Sequence, residues 1–199
     1  MVNINPVKIF FGVGRVGYAL DYHTVSSTHM GDDEYGHPVF DTKRSEVGEL
    51  LYRLKCRSDA SALGELVSTA VAFVREWRPP IGVVVPVPPT RTERSQQPVM
   101  LLAQRLAEDL GLPAALACVV LRKDMPELKK VFDYKERLRL LVDAYAVSEP
   151  DLVAGKRVLL VDDLYRSGAT MNAVTEALLL QGPAAKVYAL AFTRTRRHR

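Results

Sequence analysis

The sequence predicts an α/β protein, a twisted and mainly parallel sheet flanked by helices, with a small β-rich hood at the N-terminus. Three observations carry this reading. From residue 58 onward, helix-period stretches alternate with short β-branched runs, the order expected of a parallel sheet with helices on both faces. Near the C-terminus, VLLVDDLYRSGAT (158–170) reads as a buried strand, two carboxylates, a small hydroxyl-bearing turn and the start of a helix. Residues 7–27 instead alternate apolar and polar around Gly12, Gly14 and Gly17, as a hairpin or meander does.

The elements after that hairpin follow from local pattern. His29–Pro38 is an acidic, glycine-containing loop. From Thr42 to Arg57 the residues Val47, Leu50, Leu51 and Leu54 recur at helical spacing. A second helix runs from Asp59 to Trp77 and is stopped by Pro79-Pro80. Gly82–Pro86 is a short buried strand, and Gln97–Leu110 is a helix closed by Gly111. Cys118–Leu121 is a strand, Arg122–Phe132 a charged loop without periodicity, Tyr134–Leu141 a short helix and Ala144–Val147 a strand. Arg157–Val161 is the strand that leads to the carboxylates. Thr170–Gln181 is a helix ended by Gly182-Pro183, and Val187–Phe192 is the last strand. The chain divides into an N-terminal hood, 1–45, a core, 46–193, and a basic tail, 194–199.

Composition narrows the function classes. With 199 residues, 48% hydrophobic and 25% charged, the chain can fill one ordinary core and does not read as disordered. No apolar run reaches the length of a membrane span, and the N-terminus lacks a basic-then-apolar leader, so a cytoplasmic protein is expected. Cys56 and Cys118 lie far apart without zinc spacing and read as reduced thiols. The net charge of +4 is concentrated in the tail, where four arginines fall within the last six residues. That argues against a broad nucleic-acid face and leaves at most a weak electrostatic hold on polyanions.

The 158–170 segment carries the chemistry. A strand delivers Asp162 and Asp163 to its carboxyl end, where ligands bind in open parallel sheets. The following turn suits an anion, because N–H groups at a helix N-terminus point outward with the positive end of the dipole behind them. A ligand that satisfies both features has a phosphate and something for the acids. Ribose 5-phosphate has both, its hydroxyls donating to the carboxylates directly or through a divalent cation with oxygen ligands. The plainer alternative is a solvated Asp-Asp turn followed by a helix capped by Ser167 or Thr170.

This segment resembles the phosphoribosyl pyrophosphate (PRPP) loop of type I phosphoribosyltransferases, which usually reads as hydrophobic residues, Asp-Asp, two variable residues and Thr-Thr-Gly-Ala-Thr. The resemblance implies the type I phosphoribosyltransferase fold. It makes Asp162 and Asp163 the ribose-binding acids, counted among the catalytic residues and as possibly indirect Mg²⁺ ligands. Arg166, Ser167, Gly168, Ala169 and Thr170 become the 5-phosphate loop. Arg166 and Ser167 stand where the family prefers threonines. Ser167 keeps the hydroxyl, whereas Arg166 could either add a charge-assisted bond or serve a neighbour. PVPPTRTERSQQP (86–98) falls at the family's pyrophosphate loop, with Thr90, Arg91 and Arg94 as ligands. Its Glu93-Arg94 fits the ComF-like subgroup, although Ser95-Gln96-Gln97 replaces that subgroup's Gly-Phe-Asn. The basic loop 122–132 falls where the family has a flap that shuts out water. Lys129 and Lys130 are then catalytic candidates, or else members of a solvated basic loop.

Two further features complete the reading. Gly12-Val13-Gly14-Arg15-Val16-Gly17 has dinucleotide-binding spacing but is followed by strand-like alternation, without the helix that fingerprint needs. In the family a hood selects the accepting base. Tyr18, Asp21, His23 and Tyr35 are the groups there that could stack on or hydrogen-bond to a heterocycle, or serve the structure instead. The subgroup's N-terminal zinc module has no counterpart here. The resemblance implies a Mg²⁺-dependent transfer of ribose 5-phosphate from PRPP to a nitrogenous base, with homodimers common for the fold. The alternative is a non-catalytic PRPP- or nucleotide-sensing protein, or a DNA-uptake accessory.

Overall fold

A five-stranded sheet runs through the molecule in the order β1-β2-β9-β8-β5. Its members are β1 (Val7–Phe11), β2 (Arg15–Tyr22), β5 (Val83–Pro86), β8 (Arg157–Tyr165) and β9 (Lys186–Arg194). All neighbours pair in parallel except β1, which runs antiparallel to β2. Two ribbons stand outside it, both antiparallel: β3 (Thr24–Asp32) with β4 (Pro38–Arg44), and β6 (Val119–Leu121) with β7 (Tyr145–Val147). The helices are α1 (Glu46–Cys56), α2 (Ser61–Trp77), α3 (Pro98–Leu110) and α4 (Ala169–Leu180), with a 3-10 turn at Pro150–Leu152. This computed structural model describes residues 1–12, 15–89, 97–122 and 144–196.

Strand alternation builds a core on each face of the sheet. Val158 and Leu160 of β8 pack with Ile9, Phe11, Val174 and Leu178, placing α4 on one side. Leu159 and Val161 point the other way, into Leu51, Leu66, Leu102 and Phe192, beneath α1, α2 and α3. Because both faces are covered, β5 and β8 need unbroken apolar runs, as their sequences supply.

Local chemistry sets the helix ends. Ser45 caps α1, its Oγ accepting from Gly48 N (3.0 Å) and donating to Tyr22 O (2.5 Å). Asp59 accepts from Ser61 N and Oγ and from Arg53 Nε and Nη2, which ties α1 to the start of α2. Those bonds, first from Ser61 and then from Arg53, hold its carboxyl down at about 2. Pro98 opens α3, and Gly111, at φ +69°, closes it.

The structure departs from the sequence reading in four places. Where an acidic loop was expected at His29–Pro38, β3 and β4 form a hairpin around a turn in which Asp33 Oδ1 accepts from Tyr35 N (2.9 Å) and His37 N (2.8 Å). Nearly all its residues are exposed, so no apolar alternation marked the strands. A hood of residues 1–45 does not follow the sheet, because β1 and β2 lie within it and only 24–44 stands apart. The basic tail does not begin at Arg194, which ends β9 and donates from Nη1 to Lys8 O (3.0 Å). Finally, β8 outruns its expected end by four residues and carries both aspartates inside the strand. The expected helix at Tyr134–Leu141 lies outside the described residues. After the turn at Gly12 comes strand β2, not the helix that dinucleotide binding requires.

Candidate active site

The crevice forms where β5 stops and β8 continues. Val83–Pro86 pair with Val158–Val161, and Val87 N adds a last bond to Val161 O (2.8 Å). Among the described residues, 162–165 of β8 pair only to β9. On its other side β5 meets Ala114 in a parallel bridge at Val84. The chain thus leaves β5 in one direction through α3 and returns on the other side as β8. That reversal is where open α/β sheets place ligands.

The turn after β8 is held from beneath. Gly168 is the N-cap of α4 at φ +84°, and an added Cβ would stand 2.8 Å from Tyr165 Oη and 3.0 Å from Phe10 O. Tyr165 Oη donates to that same carbonyl at 2.6 Å. Gly12 N donates to Asn172 Oδ1 at 2.5 Å, so the β1 end also grips the first turn of α4. Gly168 has no side chain to cap the first amides, and no acid stands in that turn. The N-terminus of α4 therefore keeps its positive character for an anion. Asp162, Leu164, Tyr165, Arg166, Ser167, Gly168, Ala169, Thr170 and Met171 line a cleft of about 50 Å³.

The two acids are not equivalent. Asp162 lines that cleft, and its Oδ1 accepts from Asp163 N at 2.8 Å. Burial, then the neighbouring Asp163, pushes its carboxyl well above the ordinary carboxylate range. Asp163 is absent from the cleft lining; its Oδ2 pairs with Lys55 Nζ of α1 at 2.5 Å. Its carbonyl accepts from Thr193 Oγ1 (3.1 Å), which lies 3.2 Å from His23 Nδ1. Among the described residues, no three His, Cys, Asp or Glu side chains converge as a metal site.

Residues 98–199 match the phosphoribosyl transferase domain family. The chain belongs to that family. Its sequence is 29% identical over 155 residues to the competence protein ComFC of Bacillus subtilis, covering 77% of this chain and 62% of that protein. The chain thus spans less than two thirds of that relative's length. Among solved structures, the allosteric regulatory enzyme of purine biosynthesis has a TM-score of 0.50 at 19% identity, over 80% of this chain and 34% of that one. Adenine phosphoribosyltransferase from Saccharomyces cerevisiae, solved with adenine and an imino-altritol bisphosphate, gives 0.49 at 12% identity over 85% and 84%. The fold is the type I phosphoribosyltransferase fold, of ComF-like kind.

The other residues singled out from the sequence scatter. Tyr18 packs edge-on against Phe73 (5.4 Å) and Trp77 (5.1 Å) of α2 and serves the core. Asp21 accepts from Tyr22 N at 2.7 Å, and burial raises its carboxyl. Tyr35 sits at the tip of the β3–β4 hairpin, 77% exposed. Only His23 approaches the acids, half-buried, with burial and then Lys55 and Arg44 lowering its pKa. Thr90, Arg91, Arg94, Lys129 and Lys130 lie outside the described residues. Lys55 was not foreseen, yet it continues the buried stripe Val47, Leu51 at i+4. A lysine on an apolar stripe signals a buried partner.

Proposed function

We propose that this chain is a Mg²⁺-dependent phosphoribosyltransferase that binds PRPP and passes ribose 5-phosphate to a nitrogenous base, releasing pyrophosphate. The observation that carries the reading is the shared cleft, with an uncapped helix N-terminus at one end and the Asp162 carboxylate at the other. Amides at the start of α4, with the Ser167 and Thr170 hydroxyls, hold the 5-phosphate. Arg166, exposed at the rim, adds charge from outside. Asp162 accepts hydrogen bonds from the ribose hydroxyls, and Asp163 stands behind it. Hard carboxylate oxygens suit Mg²⁺, and the remaining ligands would come from the sugar and pyrophosphate oxygens and from water. When bound, the ion offsets charge on the departing pyrophosphate.

In the transfer itself the base nitrogen donates its lone pair to the anomeric carbon. The C–O bond to pyrophosphate breaks with its electron pair on oxygen, and the nitrogen then loses a proton. The resemblance assigns Thr90, Arg91 and Arg94 to the pyrophosphate, and Lys129 and Lys130 to a covering flap. His23, its pKa lowered by burial and then by Lys55 and Arg44, is the described hood residue best placed to hydrogen-bond to the base. Titrating PRPP with Mg²⁺ in a calorimeter, then following pyrophosphate release with a panel of purines and pyrimidines, tests the reading. Saturable binding followed by release with one base supports it. Absence of PRPP binding ends it.

The likeness to a competence protein favours a second reading, a PRPP-sensing or DNA-uptake accessory without turnover. It expects PRPP binding without release under any base. It also expects salt-sensitive DNA binding that disappears on deleting Arg196–Arg199, a cut that leaves β9 whole.

A further inference from the structure

Asp162 and Asp163 are adjacent in a strand, so their side chains leave on opposite faces of the sheet. Asp162 shares the α4 face with Val158 and Leu160 and borders the cleft. Asp163 shares the face of Leu159 and Val161, under α1, and meets Lys55 there. Both charged groups of this pair are largely buried, 24% and 21% exposed. An ion pair in that setting is held firmly, because separating it leaves each charge poorly solvated.

The helix that brings Lys55 is itself pinned at its other end. Gly48 lies so close to the His23 carbonyl that any Cβ would collide with it. Ser45 Oγ bonds both Gly48 N and Tyr22 O. The α1 stripe of Val47, Leu50, Leu51 and Leu54 is buried along its length. Lys55 is thus delivered to Asp163 by a fixed element, and Thr193 Oγ1 holds the Asp163 backbone from β9. Nothing in the strand–acids–turn motif encodes this arrangement; it comes from α1, about 110 residues earlier in the chain.

We infer that Lys55 is a positioning residue that reserves Asp163 for the α1 face and leaves Asp162 as the carboxylate that meets the ligand. The inference rests on the PRPP reading above and divides its acid pair. PRPP is a polyanion, so a second, uncompensated carboxylate behind the cleft would repel it without Mg²⁺ and draw the cation more strongly with it. Lys55 cancels that second charge in advance.

The test measures PRPP affinity by calorimetry on the full chain and takes the ratio of the dissociation constant without Mg²⁺ to that with Mg²⁺. Lys55→Met is expected to raise the ratio about tenfold, Lys55→Arg to keep it near wild type, and Lys55→Met with Asp163→Asn to bring it back. A merely structural lysine would change the melting temperature and leave the ratio alone. An unchanged ratio in a folded Lys55→Met protein overturns the inference, as does an affinity loss in Asp163→Asn equal to that in Asp162→Asn. If Lys55→Met does not fold, the double variant, which has neither charge, decides. PRPP affinity within about threefold of wild type supports the inference, and a loss matching Asp162→Asn sinks it. A wild-type protein that binds no PRPP removes the functional reading and this inference together; one that binds PRPP while the ratio stays fixed removes the inference alone.

Discussion

Two of the turns built around a glycine at positive φ could hardly be more different. Gly168 (φ +84°) joins β8 to α4; Gly36 (φ +76°) joins β3 to β4. A Cβ added at Gly168 would meet Tyr165 Oη and the Phe10 carbonyl at 3.0 Å or less, whereas one at Gly36 would meet nothing within 4 Å. The first turn is fixed from below by β1 and by a buried tyrosine. The second has its own ladder, the Asp33 side chain, the turn bond from Gly36 N to Asp33 O and the His29–Phe40 ring contact. A lone two-stranded hairpin is marginal in water, so β3–β4 borrows its stability from the body it leaves. Preorganisation of a ligand site comes from packing behind the turn, not from the glycine itself.

Substituting both glycines breaks the comparison most directly. Gly168→Ala combines left-handed strain with collision against backbone and Tyr165. It is expected to cost about 3 kcal/mol or more and to abolish PRPP binding. Gly36→Ala is expected to cost about 1 kcal/mol and leave binding intact. Denaturant melts and calorimetry read both.

Asp162→Asn comes next. It is expected to lower PRPP affinity at least about tenfold, the loss of a charged acceptor, with the fold retained. The same variant carries a pH signature. The raised Asp162 carboxyl means that the folded state binds its proton more tightly than the unfolded state. Its contribution is therefore complete below the ordinary value of 3.8 and is lost as pH rises through the raised value. Ligand-free, Mg²⁺-free wild type should lose melting temperature across that rise, and Asp162→Asn should flatten the curve. A wild-type curve no steeper than the variant's would remove the Asp162 carboxyl as its cause.

Tyr165→Phe tests the support beneath the loop. Removing the hydroxyl frees the Phe10 carbonyl and is expected to cost about 1 kcal/mol, with a smaller loss of PRPP affinity than in Asp162→Asn. The smallest effect belongs to the hairpin. Phe40→Ser, at a residue 52% exposed, is expected to stay within about 0.5 kcal/mol and leave PRPP affinity unchanged. A large destabilisation there would show that the hairpin is held by more than its ladder.

What the sequence disclosed follows the same division. Strands β5, β8 and β9 and helices α1 to α4 were legible because burial on two faces or one stripe imposes a strict apolar pattern. The strand end with its two aspartates and the Gly168 turn before α4 could be placed because they are contiguous in the chain. The β3–β4 hairpin was not, since strands exposed on both faces have no apolar period to read. The membership of β1 and β2 in the main sheet depends on pairing with β9, over 160 residues away in the chain. The separation of Asp162 from Asp163 needed both the strand's extension to Tyr165 and the arrival of Lys55. Motif spacing contains neither.

A proline beside β5 acquires a purpose from this geometry. Alternate residues of β5 donate toward β8, and after Val87 the next in turn is Pro89, which has no N–H, so the zipper between β5 and β8 halts after the Val87 bond to Val161. The mouth of the cleft is thus bordered by a residue whose contribution is a bond it cannot make. Restoring a donor there would invite the neighbouring strand to close over the very edge on which Asp162 sits.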